Sequence, residues 1–292
     1  MKTKQNIAIF WAILSAALYA ISIPLSKILL IEIPPAMMAA LLYLGAGIGM
    51  SILWVVRSNK DKLKSELKLT KKEMPYTVGM VVINIGAAVF LMIGLAMTTS
   101  STASLLSNFE IVATSLIALL FFKEAISKKL WLAIGLITVA SIFLSVKDLS
   151  NVSFSFGSFF VLLGTICWGF ENNFTRKLSV KDPLQIVIIK GFGSGLGSLL
   201  LAFIVKQTAT NPVYIIATLA LGFVAYGLSI YLYVYAQRYL GAAKTSTYYA
   251  IAPFIGVVLS FIMLFEIPTA SFFIALLIMI VGTYFASTEG MK

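Results

Sequence analysis

The 292-residue chain contains no histidine, one cysteine and only 11 aspartate and glutamate residues. Without histidine, the chain has no histidine-ligated metal site, no serine–histidine catalysis and no histidine proton relay. Because Cys167 stands alone, no disulfide can form within the chain. All three aspartates, Asp61, Asp148 and Asp182, fall in predicted loops, which argues against aspartyl catalysis inside a membrane. We therefore predict a protein that is not an enzyme and that needs no metal and no cofactor.

Apolar residues dominate what is present. The chain is 60% hydrophobic and 11% charged, with a mean hydropathy of +0.99, whereas soluble domains average roughly 45–50% apolar and about 25% charged residues. So much apolar surface predicts a chain solvated by lipid. The first apolar run continues through Leu30, which is too long for a cleaved signal peptide with an apolar region of about 7–15 residues. We interpret that run as a membrane helix.

Ten apolar stretches are long enough to cross a bilayer as helices. A helix needs about 20 residues to cross about 30 Å of hydrocarbon. The stretches, numbered here as spans 1 to 10, cover residues 6–30, 36–56, 75–98, 101–122, 130–146, 155–175, 183–205, 212–236, 243–265 and 270–287. The predicted fold class is an all-α integral membrane protein with ten transmembrane helices.

The distribution of basic residues predicts how the chain is threaded. With the N-terminus in the cytoplasm, the loops on that side hold most of the 22 Lys and Arg residues, whereas the outer loops hold only Lys147 and Lys206. The positive-inside rule then places both termini in the cytoplasm, and the basic loops favour the plasma membrane of a prokaryote. We interpret the net charge of +11 as this topology signal rather than as a nucleic-acid-binding surface.

The two halves of the chain, residues 1–146 and 151–292, repeat one pattern of five spans. Matched positions are Lys27 with Arg176, Tyr19 with Trp168, Glu110 with Ala252, and Glu124 with Glu266. Because five is odd, the second copy must enter the membrane in the opposite orientation. Two inverted copies of one bundle are typical of an alternating-access transporter.

Glycines spaced four residues apart mark spans 2 and 7. The pairs Gly45/Gly49 and Gly191/Gly195 are small-xxx-small patterns that let helix backbones approach closely. They indicate either dense packing or smooth faces on which these helices slide during a conformational change.

Several segments resemble the EamA branch of the drug/metabolite transporter superfamily. They are residues 168–179 (WGFENNFTRKLS), 121–124 (FFKE) and 248–254 (YYAIAPF). The resemblance covers nearly the whole chain, and it implies two inverted five-helix repeats around a central cavity lined by spans 1, 3, 4, 6, 8 and 9. It also implies transport of small metabolites, often by efflux. Span 4 lacks the proline that such carriers often have after Glu110, so we expect it to kink less than its relatives.

Glu110 is the strongest candidate for a functional group. It lies near the middle of span 4 beside Asn108, with no Lys or Arg within a helical turn, and an intramembrane charge costs at least about 2.5–3.5 kcal/mol on insertion scales. It could exchange protons or bind a substrate cation. The alternative is a structural carboxyl group that accepts hydrogen bonds from Ser or Thr on neighbouring helices.

Glu171 and Lys190 fall at similar depth on spans 6 and 7. They predict either an internal ion pair that braces the two helices or a gate in which Lys190 meets a substrate carboxylate when the pair opens. Lys27 and Lys244 lie near span ends, where long side chains reach the interface.

Four aromatic residues, Tyr19, Trp168, Tyr248 and Tyr249, are predicted to line a cavity with Glu110. Aromatic faces and one carboxylate suit a cation, since a cation–π contact contributes about 0.5–2 kcal/mol. The alternative is that these rings pack in the core or face lipid.

These patterns favour a secondary or facilitative carrier for a small amine or amino-acid-like solute, working as a monomer or homodimer, with protons as a possible coupling ion. Because the chain has no Walker motif, ATP does not drive it directly. The alternative is a translocator of lipid-linked or amphiphilic molecules, which other proteins of this superfamily exemplify.

Overall fold

A computed structural model describes residues 2–58, 68–148, 153–240, 245 and 248–289. The α-helices are α1 (Lys2–Ala20), α2 (Ser22–Leu29), α3 (Pro35–Ser58), α4 (Met74–Met97), α5 (Ser100–Leu106), α6 (Phe109–Phe122), α7 (Lys128–Ser145), α8 (Phe156–Leu178), α9 (Pro183–Ile204), α10 (Pro212–Gly222), α11 (Ser229–Leu240), α12 (Ala252–Leu264) and α13 (Ala270–Glu289). A 3₁₀ turn (Lys71–Glu73) precedes α4, a π-helical turn (Phe223–Leu228) joins α10 to α11, and a hairpin of β1 (Val146–Asp148) and β2 (Ser153–Phe154) links α7 to α8.

The predicted all-helical membrane fold is confirmed. Within the described ranges, eight helices are long and apolar enough to cross a membrane, and they correspond to spans 1–5, 7, 8 and 10. Span 6 forms the 23-residue helix α8, which is less apolar because it carries Glu171, Asn172 and Asn173. Span 9 is represented by the shorter α12. Lys244, predicted to reach the interface, lies outside the described residues.

The helices of one half pack mainly on those of the other. The most extensive packing joins α4 with α8, α3 with α9, α7 with α13 and α1 with α11, and further packing joins α6 with α8, α3 with α10 and α5 with α12. In terms of spans these are pairs 3–6, 2–7, 5–10 and 1–8, followed by 4–6, 2–8 and 4–9. Exchanging the two halves converts pair 3–6 into pair 8–1 and returns pairs 2–7, 5–10 and 4–9 to themselves. It converts pairs 4–6 and 2–8 into pairs 9–1 and 7–3, which also pack together. This symmetry is what a duplicated bundle would produce, while the opposite orientation of the halves in the bilayer stays a prediction.

Span 4 is interrupted although it has no proline, while a kink weaker than in its relatives stays a prediction. The break falls at Ser107 and Asn108, between α5 and α6. The Ser107 hydroxyl donates to the Ala103 carbonyl, and the Asn108 side chain donates to the Leu105 carbonyl. The backbone amides of Asn108 and Glu110 bond three residues back instead of four. Polar side chains that compete for backbone carbonyls thus interrupt the helix in place of proline.

Spans 1 and 9 are also interrupted. Span 1 breaks between α1 and α2, just before Pro24, whose missing amide leaves the Ala20 carbonyl without its helical donor. In span 9, α12 begins at Ala252, and Pro253 occupies its first turn. The spans that break therefore include the repeat-related pair 4 and 9, and both breaks fall beside Glu110 or its matched position.

Glycines bring helix backbones into contact in the middle of the bundle. A Cβ atom on Gly45 would lie 2.0 Å from the Leu219 carbonyl oxygen, and one on Gly191 would lie 2.5 Å from the amide nitrogen of Gly47. No side chain fits at such separations without movement of the backbone. The structure therefore shows the dense packing of spans 2 and 7 that the glycine pairs indicated, and it adds span 8 as a close neighbour of span 2. Sliding of spans 2 and 7 stays a hypothesis.

Candidate functional site

Glu110 points into the bundle, towards span 6. Located in the first turn of α6 and partly buried, it accepts a 2.5 Å hydrogen bond at Oε1 from Nδ2 of Asn172 on α8. Asn172 also donates to the Thr114 hydroxyl at 3.3 Å. Close packing of the two helices makes this reach possible, since a Cβ atom on Gly169 would lie 2.7 Å from the Ala113 Cβ. The break in span 4 thus presents a carboxylate to Asn172, which in turn bonds the Thr114 hydroxyl.

Glu171 and Lys190 form a buried ion pair between spans 6 and 7. Lys190 Nζ lies 3.0 Å from Glu171 Oε2, and the two side chains are 9% and 2% exposed. The Thr175 hydroxyl donates to the other carboxylate oxygen, Oε1. Both carboxylate oxygens are therefore satisfied, as a buried charge requires. The pair predicted from the sequence is formed, and in this conformation it braces α8 on α9.

Five tyrosines form a continuous row through the bundle, called the tyrosine row below. Neighbouring ring centroids lie 5.1 Å apart for Tyr43 and Tyr226, 5.8 Å for Tyr226 and Tyr19, 5.8 Å for Tyr19 and Tyr249, and 4.9 Å for Tyr249 and Tyr233. These separations are typical of interacting aromatic pairs. The row connects spans 1, 2, 8 and 9, and two of the predicted residues, Tyr19 and Tyr249, belong to it.

The Glu110 charge is within electrostatic range of Tyr19, Tyr249 and Tyr43, and of the Glu171–Lys190 ion pair. Among the described residues its side chain is hydrogen-bonded to Asn172 and to no tyrosine of the row. A carboxylate with aromatic rings in range of its charge can attract a cation.

Trp168 is packed in the core rather than lining an open space. It is 5% exposed, and its indole Nε1 donates to Asn84 Oδ1 at 3.2 Å. Its repeat mate Tyr19 packs against the same apolar cluster. Of the two alternatives for Trp168, the structure shows the packed one in this conformation.

Two predicted residues lie apart from the group around Glu110. Asn108 is 2% exposed, and its side-chain oxygen faces the hydroxyl of Thr283 on α13, at 3.5 Å. Tyr248 precedes Tyr249 in the chain and is partly buried, but among the described residues it makes no ring contact with the tyrosine row. The structure thus gives Asn108 a place in the break of span 4, and within the described ranges no hydrogen bond joins Tyr248 to Glu110.

The breaks in spans 1, 4 and 9 meet at a small interior cavity of about 10 Å³. It is lined by Tyr19, Ala20, Ile23, Ser104, Ser107, Ala252, Pro253 and Gly256. Such a volume holds about one water molecule. A larger cleft of about 350 Å³ lies at the predicted outer ends of spans 3, 4, 5 and 10, and Glu110 is not among its lining residues. Of these two cavities, the small one contains a residue predicted to line the central cavity, Tyr19, and the wide central cavity itself stays a prediction.

Charged residues hold the helix ends at the predicted outer face. The Glu266 carboxylate accepts bonds from the backbone amides of Ser100 and Ser101, at 2.6 and 2.8 Å, and thereby caps α5. Lys27 Nζ donates to the Leu95 and Thr98 carbonyls at the end of α4, each at 2.7 Å. Both charges lie at the helix end whose dipole they complement. Lys27 therefore has a structural partner instead of only reaching the interface.

At the predicted inner face, the repeat counterparts of Lys27 and Glu266, which are Arg176 and Glu124, contact each other. Arg176 Nη1 lies 2.6 Å from Glu124 Oε2, in a largely solvent-exposed ion pair that joins the ends of spans 4 and 6. Exposed pairs of this kind contribute little to stability. Repeat-related charged residues thus bond to backbone groups at helix ends on the predicted outer face, and they pair with each other on the predicted inner face.

The sequence reasoning missed Asn84, Tyr43, Tyr226 and Thr114. Asn84 was detectable, because it is the one amide between Met74 and Met97 in an otherwise apolar helix. Tyr43 and Tyr226 gave no signal, because one tyrosine in an apolar helix does not show which way it faces. Tyr226 also lies in the π-helical turn, whose wider winding changes the direction of its side chain.

Comparisons with known proteins agree with this architecture. The chain is 26% identical over 289 residues to an "Uncharacterized transporter" of Methanothermobacter thermautotrophicus, covering 93% of this chain and 83% of that protein. It is 21% identical over 225 residues to the "Uncharacterized transporter YyaM" of Bacillus subtilis, covering 74% and 73% respectively. A solved crystal structure matches its fold with a TM-score of 0.70 at 16% identity, over 97% of this chain and 96% of that one.

The sequence model of the EamA-like transporter family matches the chain twice, over residues 6–146 and 155–288. Each match falls on one of the two predicted repeats. The chain is thus similar to membrane transporters along nearly its whole length, and it belongs to the EamA-like transporter family.

Proposed function

We propose that this transporter is a secondary carrier that moves a small amine or amino-acid-like solute by alternating access. The observation that carries the proposal is the carboxylate of Glu110, held by Asn172 across spans 4 and 6 and within electrostatic range of the tyrosine row. A buried charge is costly and persists where it has partners or a function. Asn172 provides one hydrogen bond, which leaves most of the acceptor capacity of the carboxylate for a solute or a proton.

The recognised group is a cation. Glu110 supplies the negative charge, while Tyr19 and Tyr249 supply aromatic faces within electrostatic range of it. A cation over an aromatic face gains about 0.5–2 kcal/mol in addition to its ion pair. An ammonium group that displaces a proton from Glu110 would couple solute movement to proton movement, and efflux driven by an inward proton gradient is the expected direction.

The buried ion pair serves as brace and gate. While Glu171 and Lys190 remain paired, spans 6 and 7 stay together. A solute carboxylate that competes for Lys190 would weaken this brace as the solute enters. Binding and opening are then linked, because the solute interacts differently with the two conformations.

The broken spans provide the hinges for alternating access. The breaks in spans 1, 4 and 9 share one small cavity, and the helix segments on either side of it can change angle without disrupting a continuous helix. Glu266 and Lys27 hold one end of the bundle, and Arg176 and Glu124 hold the other. We propose that the two sets open in turn, in a prokaryotic plasma membrane with both termini in the cytoplasm.

The test is transport by the purified chain. A thermal-shift screen of amines, amino acids, nucleosides and quaternary ammonium compounds selects a ligand, and its uptake into proteoliposomes is then measured with and without a pH gradient. We expect saturable uptake of an amine-containing solute that the gradient accelerates. Uptake that appears only for amphiphiles whose tails remain in the bilayer would contradict the proposal and favour a lipid translocator.

A further inference from the structure

Asn84 is a buried amide in the middle of α4 that uses only half of its hydrogen-bonding capacity. Its side chain is 0% exposed, and its Oδ1 accepts bonds from the Tyr43 hydroxyl at 3.0 Å and from Trp168 Nε1 at 3.2 Å. Its Nδ2 has no hydrogen-bond partner among the described residues. Buried donors without an acceptor are uncommon, because the hydration that they lose on folding is not replaced.

Trp168 fixes which way this amide faces. An indole N–H is only a donor, so the atom of Asn84 opposite it must be the oxygen. Rotating the amide by 180° would place its NH₂ group against the donor of Trp168 and would remove both bonds. Nδ2 therefore directs two N–H donors away from the rings of Tyr43 and Trp168.

The surroundings of Asn84 connect it to the proposed solute site. Tyr43 belongs to the tyrosine row, and it lies within electrostatic range of Glu171 and Glu110. Asn84 is thus hydrogen-bonded to the tyrosine at one end of this row. Its rigid amide offers the kind of group that Glu110 does not, namely a donor for an oxygen atom.

We propose that Asn84 Nδ2 binds an acceptor oxygen of the transported solute, a carboxylate in the first instance. This inference rests on the proposed carrier function and narrows its substrate class. The solute carries an ammonium group, which pairs with Glu110, and also an oxygen acceptor, which completes the hydrogen bonding of Asn84. Solutes with only a cationic group leave the two N–H donors unpaired and bind less tightly.

The experiment compares matched probes on the purified full-length protein. The first pair is leucine and the amine that remains after leucine is decarboxylated. The second pair is 6-aminohexanoate and hexylamine. In 6-aminohexanoate the carboxylate lies farther from the ammonium group than it does in leucine. We expect the wild type to bind the carboxylate member of at least one pair about tenfold more tightly, as one hydrogen bond to a charged acceptor provides. Asn84→Asp retains an acceptor for Tyr43 and Trp168 but lacks the donors, so it should lose this preference.

Two further variants separate recognition from stability. Asn84→Leu removes the donors without introducing a charge, and it should lose the preference in the same way, even where Asn84→Asp does not fold. Asn211→Asp is the matched control, because Asn211 caps α10 with its Oδ1, which accepts from the Val213 amide, and an aspartate keeps that bond. This control should retain the preference whatever its effect on stability.

The outcomes distinguish this inference from the carrier proposal. If the wild type binds both members of each pair equally, or if the Asn84 variants weaken both members equally, the role of Asn84 is refuted while the carrier proposal stands. If the wild type binds none of the four probes, the proposed substrate class is wrong, and the inference fails with it.

Discussion

Lys190→Met is expected to lower the free energy of unfolding by about 3–5 kcal/mol. The substitution leaves the Glu171 carboxylate, 2% exposed, without its cation in the middle of the bundle. The Thr175 hydroxyl alone cannot compensate for the lost ion pair. Unfolding of the purified protein in mixed micelles with increasing SDS measures the change. Lys128→Met, the same substitution at an exposed residue of α7, should change stability by less than about 0.5 kcal/mol.

A double substitution separates the brace from the gate. Glu171→Leu combined with Lys190→Met removes both charges, and it should recover most of the stability that the single variant loses, since no unpaired charge remains. If the pair is only a brace, this double variant should also transport. If Lys190 meets the solute carboxylate, the double variant should fold but transport poorly. A single Lys190→Met variant as stable as the wild type would show that the ion pair does not hold spans 6 and 7 together.

Glu110→Gln is expected to reduce transport at least about thirtyfold, since removing one partner of a buried charge pair costs about 2 kcal/mol or more. The amide oxygen of glutamine can still accept from Asn172, so the fold should be retained. The remaining transport should no longer respond to a pH gradient, because glutamine does not titrate. Uptake of the screened solute into proteoliposomes, with and without the gradient, measures both effects.

Glu32→Gln provides the control for this variant. Glu32 is an exposed carboxylate in the turn between α2 and α3. It should change the rate by less than about threefold, because an exposed surface charge contributes little. A Glu110→Gln variant that transports with the wild-type rate and pH response would make Glu110 a structural residue only.

The positions of the membrane spans could be predicted from the sequence, because a helix that crosses the lipid bilayer requires a long run of apolar residues. The sequence also placed Glu171 beside Lys190, since two opposite charges on adjacent helices at one depth have few other partners. The duplicated pattern anticipated the two family matches, over residues 6–146 and 155–288. Each of these features depends on hydropathy or charge, and both are visible without coordinates.

The remaining features depend on helix rotation and local backbone geometry. The break in span 4 comes from Ser107 and Asn108, whose side chains compete for carbonyls, and a rule based on proline could not find it. The tyrosine row depends on the direction in which Tyr43 projects from its helix and on the π-helical turn at Tyr226. A single sequence specifies neither. Asn84 was visible as a polar residue in an apolar helix, but its unpaired donors emerged only with its two partners in place.

The most direct test asks whether the Glu110 region is reached by water from both sides of the membrane. Because Cys167 is the only cysteine, Cys167→Ser supplies a background for Asn172→Cys beside Glu110 and for Leu277→Cys on the exposed face of α13. In sealed vesicles, the cysteine introduced at position 172 should react with a membrane-impermeant cationic thiol reagent added to either side, and the transported solute should slow the reaction. The one introduced at position 277 should react only with a lipid-soluble maleimide. If the cysteine at position 172 reacts only with the lipid-soluble maleimide, or if it reacts from one side only under every condition, the result contradicts a pathway that opens alternately around Glu110.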